Sequence, residues 1–153
     1  MEKFNKGAVL ITGTTSGVGL NTLKPLIEYG WDIIAVNRSS KRAIDEANKI
    51  LKNNEIESIN FIEIDLSDLN SVRDGSKEII TRFGNILKVL ICNAAVYKPR
   101  LKRPERSPQG FENSMAVNHF GHFLLINLLL DSMFNAEEEI ILNGEILKFT
   151  PRI

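Results

Sequence analysis

Near its N-terminus the chain reads Val9-Leu10-Ile11-Thr12-Gly13-Thr14-Thr15-Ser16-Gly17-Val18-Gly19. The apolar run predicts a buried strand at residues 8–12, and the residues from the second glycine onward predict a helix at 17–30. The spacing Gly-x-x-x-Gly-x-Gly lets main-chain N–H groups and a helix N-terminus approach a phosphate. Gly13 would turn off the strand, Gly17 would admit a pyrophosphate, and Gly19 would let the helix pack closely. The alternative is a plain turn between strand and helix.

Length and composition limit the class of protein. The 153 residues suit one domain with one core, and 19 basic residues balance 19 acidic ones. This balance provides no overall field that would attract nucleic acid or an anionic membrane. The single cysteine, Cys92, excludes an internal disulfide. We expect a bacterial-type cytoplasmic protein without a signal or transit peptide, without an integral membrane segment and with at most a peripheral membrane contact.

The rest of the chain alternates between predicted strands and helices. Strands are expected at residues 31–36, 59–64, 88–92 and 139–142. Helices are expected at residues 42–53, at 68–83 with Ser67 as N-cap, and at 111–134. Continuous apolar runs are typical of parallel strands covered on both faces. The prediction is an α/β fold, a Rossmann-type doubly wound parallel sheet in a single domain spanning residues 1–153.

Residues that follow the second and third predicted strands indicate a nucleotide. Asn37-Arg38-Ser39-Ser40-Lys41-Arg42 comes where the adenine ribose lies in a dinucleotide fold. It contains no acid for the 2′-hydroxyl of NAD(H), whereas Arg38 suits the 2′-phosphate of NADP(H). Lys41 and Arg42 are interpreted as solvated. Asp65 would hold the adenine amino group or begin the turn into the next helix, and the two roles are compatible.

The segment at residues 97–109 is basic and rich in proline, which predicts a surface loop. The helix expected after it contains His119 and His122 among apolar residues, too few of them to span a bilayer. We interpret both histidines as packing or hydrogen-bonding residues, and we expect no metal site, because no cysteine or paired carboxylate completes one.

Four motifs follow one another along the chain: Thr12-Gly13-x-x-x-Gly17-x-Gly19, Asp65, Asn93-Ala94-Ala95 and Asn118. In this order and spacing they resemble the short-chain dehydrogenase/reductase family. Residues 89–99, 107–112 and 118–125 make the chain most similar, within that family, to the light-dependent NADPH:protochlorophyllide oxidoreductases. Retinol-dehydrogenase-like oxidoreductases share Asn118-His119 and Gly121-His122-Phe123, and they are the nearest alternative.

The resemblance implies an oxidoreductase of photosynthesis and chlorophyll biosynthesis, in which light drives hydride transfer from NADPH to the C17–C18 double bond of protochlorophyllide. The implied cofactor-binding residues are Gly13, Thr15, Ser16, Gly17, Val18, Gly19, Arg38, Asp65, Leu66, Asn93, Ala94 and Ala95. Asn118 would support the catalytic geometry. Cys92 and Tyr97 would lie near the meeting point of cofactor and pigment, although Cys92 also fits the description of a buried strand residue.

The chain departs from the family in lacking a Tyr-x-x-x-Lys pair, in which the lysine lowers the pKa of a tyrosine that donates a proton. Tyr29 is followed four residues later by Ile33, and Tyr97 by Leu101. The resemblance ends near residue 142. We therefore expect a form truncated after about the fifth strand, incomplete at its C-terminus and inactive by itself.

Two alternatives remain open at this point. One is a non-catalytic NADP(H)-binding module, and the other is a remnant that folds poorly, suggested by Pro25 and Gly75 inside predicted helices. An unpaired strand edge and an exposed apolar helix face would both favour self-association.

Overall fold

A parallel sheet of four strands forms the centre of the structure, a computed structural model that describes residues 7–100, 103–135, 139–142 and 145–148. The strands are β1 (Ala8–Thr12), β2 (Asp32–Asn37), β3 (Ile59–Glu63) and β4 (Leu87–Ile91). They lie in the order β3-β2-β1-β4 and all pairs are parallel. The order reverses at β1, so the segments that follow β1 and β4 flank a crevice at the carboxyl edge of the sheet. The predicted Rossmann-type sheet is confirmed.

Helices cover both faces of this sheet. They are α1 (Gly17–Glu28), α2 (Ser40–Ala47), α3 (Asn53–Ile56), α4 (Leu69–Phe83), α5 (Asn113–Met115) and α6 (His122–Asn135). Side chains alternate along β1: Leu10 packs into the core beneath α4 and α6, while Val9 and Ile11 pack into the core beneath α1 and α2. The apolar strands are therefore buried on both faces, as their composition predicts.

The helix predicted at residues 111–134 begins at Asn113, and its middle is not an α-helix. A π-helical segment, Ala116–Gly121, joins α5 to α6. No local sequence signal distinguishes such a segment from an α-helix. π-Helical turns are rare and frequently lie at functional sites, and this one reaches the carboxyl edge of the sheet.

The helix predicted at residues 42–53 is in fact divided. α2 ends at Ala47 and α3 begins at Asn53. The carboxylate of Glu55 accepts a hydrogen bond from the N–H of Lys52 at 2.7 Å, which starts a new helix rather than extending the old one.

Ser67 is not the N-cap of α4, contrary to prediction. Its N–H and its hydroxyl both donate to Asp65 Oδ1, at 2.9 and 2.7 Å, which closes a local turn. The cap is Asp68, which accepts from the N–H of Asn70 at 3.0 Å. The predicted role of Asp65 in the turn is thereby confirmed.

The fifth predicted strand exists but does not join the main sheet. β5 (Glu139–Leu142) pairs antiparallel with β6 (Glu145–Lys148) in a separate two-stranded sheet. The prediction of a fifth strand in the parallel sheet is wrong, because β5 pairs with β6 instead. Only two positions separate β5 from β6, and so short a connection favours a hairpin between them.

The two residues that suggested poor folding are both accommodated. α1 continues through the exposed Pro25 as far as Glu28. A Cβ at Gly75 would overlap the side chain of Ile64, so the glycine lets α4 approach the sheet closely. Within the described ranges, no helix is both long enough and apolar enough to cross a membrane.

Apolar side chains are exposed around the π-helical segment. Phe123 is 60% exposed and Met115 48%, and the ring of Phe111 lies 4.7 Å from that of Phe120 between centroids. The exposed apolar face predicted for this helix is confirmed. Self-association through it stays a prediction.

Candidate functional site

A cleft of about 420 Å³ opens at the carboxyl edge of the sheet, where the segments that follow all four parallel strands meet. The structure brings most of the predicted site residues together there. Those that line the cleft are Gly13, Thr15, Ser16, Val18, Gly19, Arg38, Asp65, Leu66, Asn93, Ala94 and Ala95. Ligands of open α/β sheets bind at this position.

Other lining residues were not predicted as site residues: Val36, Asn37, Ser39, Arg42, Ile64, Val96 and Val117. Most of them are adjacent in sequence to a predicted site residue. Their position near the end of a strand is the signal that could have identified them. Arg42 was interpreted as solvated, and it is exposed, but it also lines the cleft. The reason is that α2 begins at Ser40 rather than at residue 42, which places Arg42 in the first helical turn beside the sheet edge.

Four predicted residues lie outside the lining: Gly17, Cys92, Tyr97 and Asn118. Tyr97 is 87% exposed. Cys92 is exposed as well, so its interpretation as a buried strand residue is wrong, because β4 ends one residue earlier at Ile91. Partial burial of the Cys92 thiol desolvates it and raises its pKa.

Close packing explains two of the three glycines after β1. Gly13 has a φ of +75°, and a Cβ there would overlap Ala94. A Cβ at Gly19 would overlap the carbonyl oxygen of Gly13 and the side-chain amide of Asn93. Gly17 has a φ of +58° and open space beside it within the described part of the chain. The glycine turn, residues 13–19, is therefore packed against the segment that follows β4 and is open beside Gly17.

The end of β2 holds the glycine turn through a buried side chain. Asn37 Oδ1 accepts from the N–H of Thr14 at 2.7 Å, and Asn37 Nδ2 donates to Thr14 Oγ1 at 2.8 Å. Both residues are buried. Asn37 is not among the predicted site residues, and a polar residue at the end of an apolar strand is the signal that could have identified it.

The ends of β1 and β4 are tied together in the same way. Thr12 Oγ1 accepts from the N–H groups of Asn93 and Ala94, both at 3.0 Å. Asn93 Nδ2 donates to the carbonyl oxygens of Thr12 and Gly13, at 2.9 and 3.0 Å. The side chain of Asn93 thus fixes the floor of the cleft.

Asn118 acts on the backbone of a lining residue rather than on the cleft itself. Its Oδ1 accepts from the N–H of Val96 at 2.7 Å, and its Nδ2 donates to the carbonyl oxygen of Val96 at 2.9 Å. The amide is therefore occupied on both sides. Any contribution of this side chain to a reaction would pass through the position of Val96.

His122 is buried beneath the cleft, 6% exposed, and its Nε2 lies 2.9 Å from Thr12 Oγ1. The predicted hydrogen-bonding role is confirmed for this histidine. Burial lowers the pKa of His122, and hydrogen bonds to the backbone of Asn118 and Val117 oppose that shift. Among the residues that the structure describes, no three potential metal ligands cluster.

We expect the free energy of unfolding to fall as the pH falls below about 6.5, the pKa of an unperturbed histidine. In that range the unfolded chain binds a proton at His122 that the folded chain excludes, because the folded pKa is lower. Urea unfolding between pH 5 and 8 would measure this, with His122→Gln as the comparison. An equally steep pH dependence in the variant would contradict the assignment.

Comparison with known proteins agrees with this geometry. The sequence model of the short chain dehydrogenase family matches residues 7–144. The chain is 42% identical over 135 residues to the chloroplastic protochlorophyllide reductase of Chlamydomonas reinhardtii, covering 86% of this chain and 32% of that protein. It is 41% identical over 152 residues to that of Daucus carota, covering 95% of this chain and 37% of that protein. The chain thus spans about a third of the length of these relatives.

Solved structures share the fold. An uncharacterised protein from Mycobacterium paratuberculosis is 31% identical with a TM-score of 0.68, and the match covers 84% of this chain and 43% of that one. The NADPH-bound carbonyl reductase from chicken fatty liver has a TM-score of 0.68 at 22% identity, covering 87% of this chain and 53% of that one. The family match extends over nearly all the described residues and includes every segment that lines the cleft. The chain belongs to the short-chain dehydrogenase/reductase family.

Proposed function

We propose that this chain supplies the NADPH-binding site of a light-dependent protochlorophyllide reductase. The observation that carries the cofactor assignment is the pair of arginines, Arg38 and Arg42, at the end of the cleft formed by residues 36–42. The described lining residues of that segment include no carboxylate. Guanidinium groups suit a 2′-phosphate, whereas a carboxylate there would suit the free 2′-hydroxyl of NADH.

The glycine turn fits the pyrophosphate of the same cofactor. Ser16 is the N-cap of α1, and its side chain makes no capping hydrogen bond within the described part of the chain. The first turn of α1 carries no acidic residue. Its N–H groups and the positive end of the helix dipole therefore face the cleft without a competing side chain.

The remaining lining residues suit the other parts of a dinucleotide. Leu66 is buried and provides an apolar wall beside Asp65, where adenine would lie. Asn93, Ala94 and Ala95 would lie along the ribose on the opposite side of the glycine turn. Bound NADPH would supply the hydride, and the protein residues would hold and orient it.

The substrate assignment rests on the relatives named protochlorophyllide reductase at 41–42% identity. Neither Tyr29 nor Tyr97 is followed four residues later by a lysine, so the proposal assigns no proton donor to these residues. We expect no chlorophyllide from this chain by itself in the light.

Two measurements test the proposal. Fluorescence titration of the purified chain should show that NADPH binds more tightly than NADH, and equal affinities would contradict the cofactor assignment.

The second measurement uses a chimera in which residues 7–142 replace the matching part of the Chlamydomonas reinhardtii relative. This chimera should form chlorophyllide on illumination with NADPH and protochlorophyllide. A chimera that binds NADPH but yields no product, beside an active parent enzyme, would leave only a cofactor-binding module.

A further inference from the structure

We infer that His122 is a positioning residue: it holds the hydroxyl of Thr12, one of two clamps on residues 93–96, the wall of the cleft that follows β4. The inference deepens the proposed function, because this wall is where the ribose of NADPH would lie. His122 itself is not a lining residue. Its role therefore depends on its hydrogen bond to another protein group and not on contact with a ligand.

The first clamp is the hydroxyl of Thr12, and counting its hydrogen-bond partners determines the direction of each bond. A hydroxyl has one proton to donate and two lone pairs to accept with. The N–H groups of Asn93 and Ala94 use both lone pairs. The third partner, His122 Nε2 at 2.9 Å, must therefore receive the proton. Nε2 is an unprotonated acceptor in this arrangement.

The second nitrogen of the ring completes the assignment. Because Nε2 accepts from Thr12, a neutral ring carries its proton on Nδ1. A neutral ring agrees with its burial and with the direction in which burial shifts its pKa. His122 thus accepts from the end of β1 and directly follows the π-helical segment in sequence.

The second clamp is the Asn118 amide, which grips both backbone groups of Val96. Residues 93–96 are consequently held at one end by Thr12 and at the other by Asn118. His122 bonds to Thr12 and lies four residues after Asn118 on the same continuous helical segment, so the start of α6 serves both clamps. A Cβ at Gly121 would overlap the carbonyl oxygen of Leu66, so the π-helical segment is also packed closely against the segment that follows β3.

Removing the acceptor would release the first clamp. With leucine at position 122, the proton of Thr12 would have no partner in a buried site, and the hydroxyl would rotate away from Asn93 and Ala94. Glutamine offers a carbonyl oxygen near the position of Nε2 and an amide N–H₂ for the helix carbonyls. His122→Leu should therefore increase the mobility of residues 93–96, and His122→Gln should largely restore their order.

Amide hydrogen exchange of the chain without NADPH tests this directly. In His122→Leu we expect exchange at Ala94 to accelerate by about tenfold, equivalent to one buried hydrogen bond of about 1.4 kcal/mol. Exchange at Asn93 should accelerate less, because its N–H also donates to the carbonyl oxygen of Ile91 at 3.1 Å. Exchange at the amides of β2 should stay unchanged, and His122→Gln should restore protection. Acceleration spread evenly over the sheet, or equal in both variants, would show a merely structural role and would overturn the inference.

A second measurement on the unmodified protein keeps the inference testable if His122→Leu does not fold. The ¹⁵N spectrum of the imidazole should show a neutral ring with the proton on Nδ1. A proton on Nε2, or on both nitrogens at pH 7.5, would overturn the assignment. Neither measurement requires bound cofactor, so failure of NADPH to bind would contradict the proposed function and leave the role of His122 decidable.

Discussion

Gly19→Ala is expected to lower the free energy of unfolding by about 3 kcal/mol or more, at the upper end of what a single added methyl group does in a packed interior. The backbone at this position is ordinary α-helix, so alanine is acceptable for conformation. The obstacle is space, because the new Cβ would overlap the carbonyl oxygen of Gly13 and the side-chain amide of Asn93. Neither group can move without disturbing the contact between the glycine turn and the end of β4. NADPH binding should be lost together with stability.

Gly17→Ala provides the matched control. There the added Cβ meets open space in the described part of the chain, but φ is +58°, so the penalty is conformational and about 1–2 kcal/mol. Val18→Ala, at a position 77% exposed, should change stability by no more than about 0.5 kcal/mol. Urea unfolding followed by circular dichroism would rank the three variants. A Gly19→Ala protein no less stable than Gly17→Ala would contradict the packing argument.

Arg38→Ala is expected to weaken NADPH binding by about 10- to 100-fold while changing NADH binding less than about twofold. A hydrogen bond between a guanidinium group and a phosphate contributes about 1.5–3 kcal/mol, and the two cofactors differ only in the 2′-phosphate. Fluorescence titration with each cofactor measures both affinities. Raising the salt concentration should weaken NADPH binding more in the parent chain than in Arg38→Ala.

The neighbouring basic residues serve as controls for this effect. Arg42→Ala should weaken NADPH binding in the same direction, because Arg42 also lines the cleft. Lys41→Ala should leave it unchanged, because Lys41 is exposed and is not a lining residue. Equal losses of NADPH and NADH affinity in Arg38→Ala would mean that Arg38 acts through the fold or the pyrophosphate and not through the 2′-phosphate.

Local patterns in the sequence were sufficient to predict the four parallel strands and the cleft at their carboxyl edge. The apolar run before Gly13 and the spacing of the three glycines specify a strand, a turn and a helix, and each is formed by residues adjacent in sequence. Parallel strands bring their carboxyl ends to one edge, so Arg38, Asp65 and Asn93 could be assigned to one cleft from their positions alone.

The features that were missed depend on contacts between distant residues or on small energetic differences. The bond between Thr12 and His122 joins residues 110 apart, and no local pattern identifies such a pair. Asp68 and not Ser67 caps α4, because the N–H and the hydroxyl of Ser67 both donate to Asp65. Serine and aspartate have similar N-cap preferences, so the sequence alone does not distinguish the two positions. β5 was predicted as a strand, but its partner was decided by the short connection to β6, which favours a hairpin.

The separation between Thr12 and His122 also has a consequence for synthesis of the protein. A ribosome makes β1 early, and many residues must follow before His122 leaves the exit tunnel. Until then the hydroxyl proton of Thr12 can be satisfied only by water or by a transient partner, although the oxygen can already accept from the N–H groups of Asn93 and Ala94. The sheet can begin to form from its first three strands during translation, but the binding cleft is completed last, in a step that depends on long-range closure of the chain.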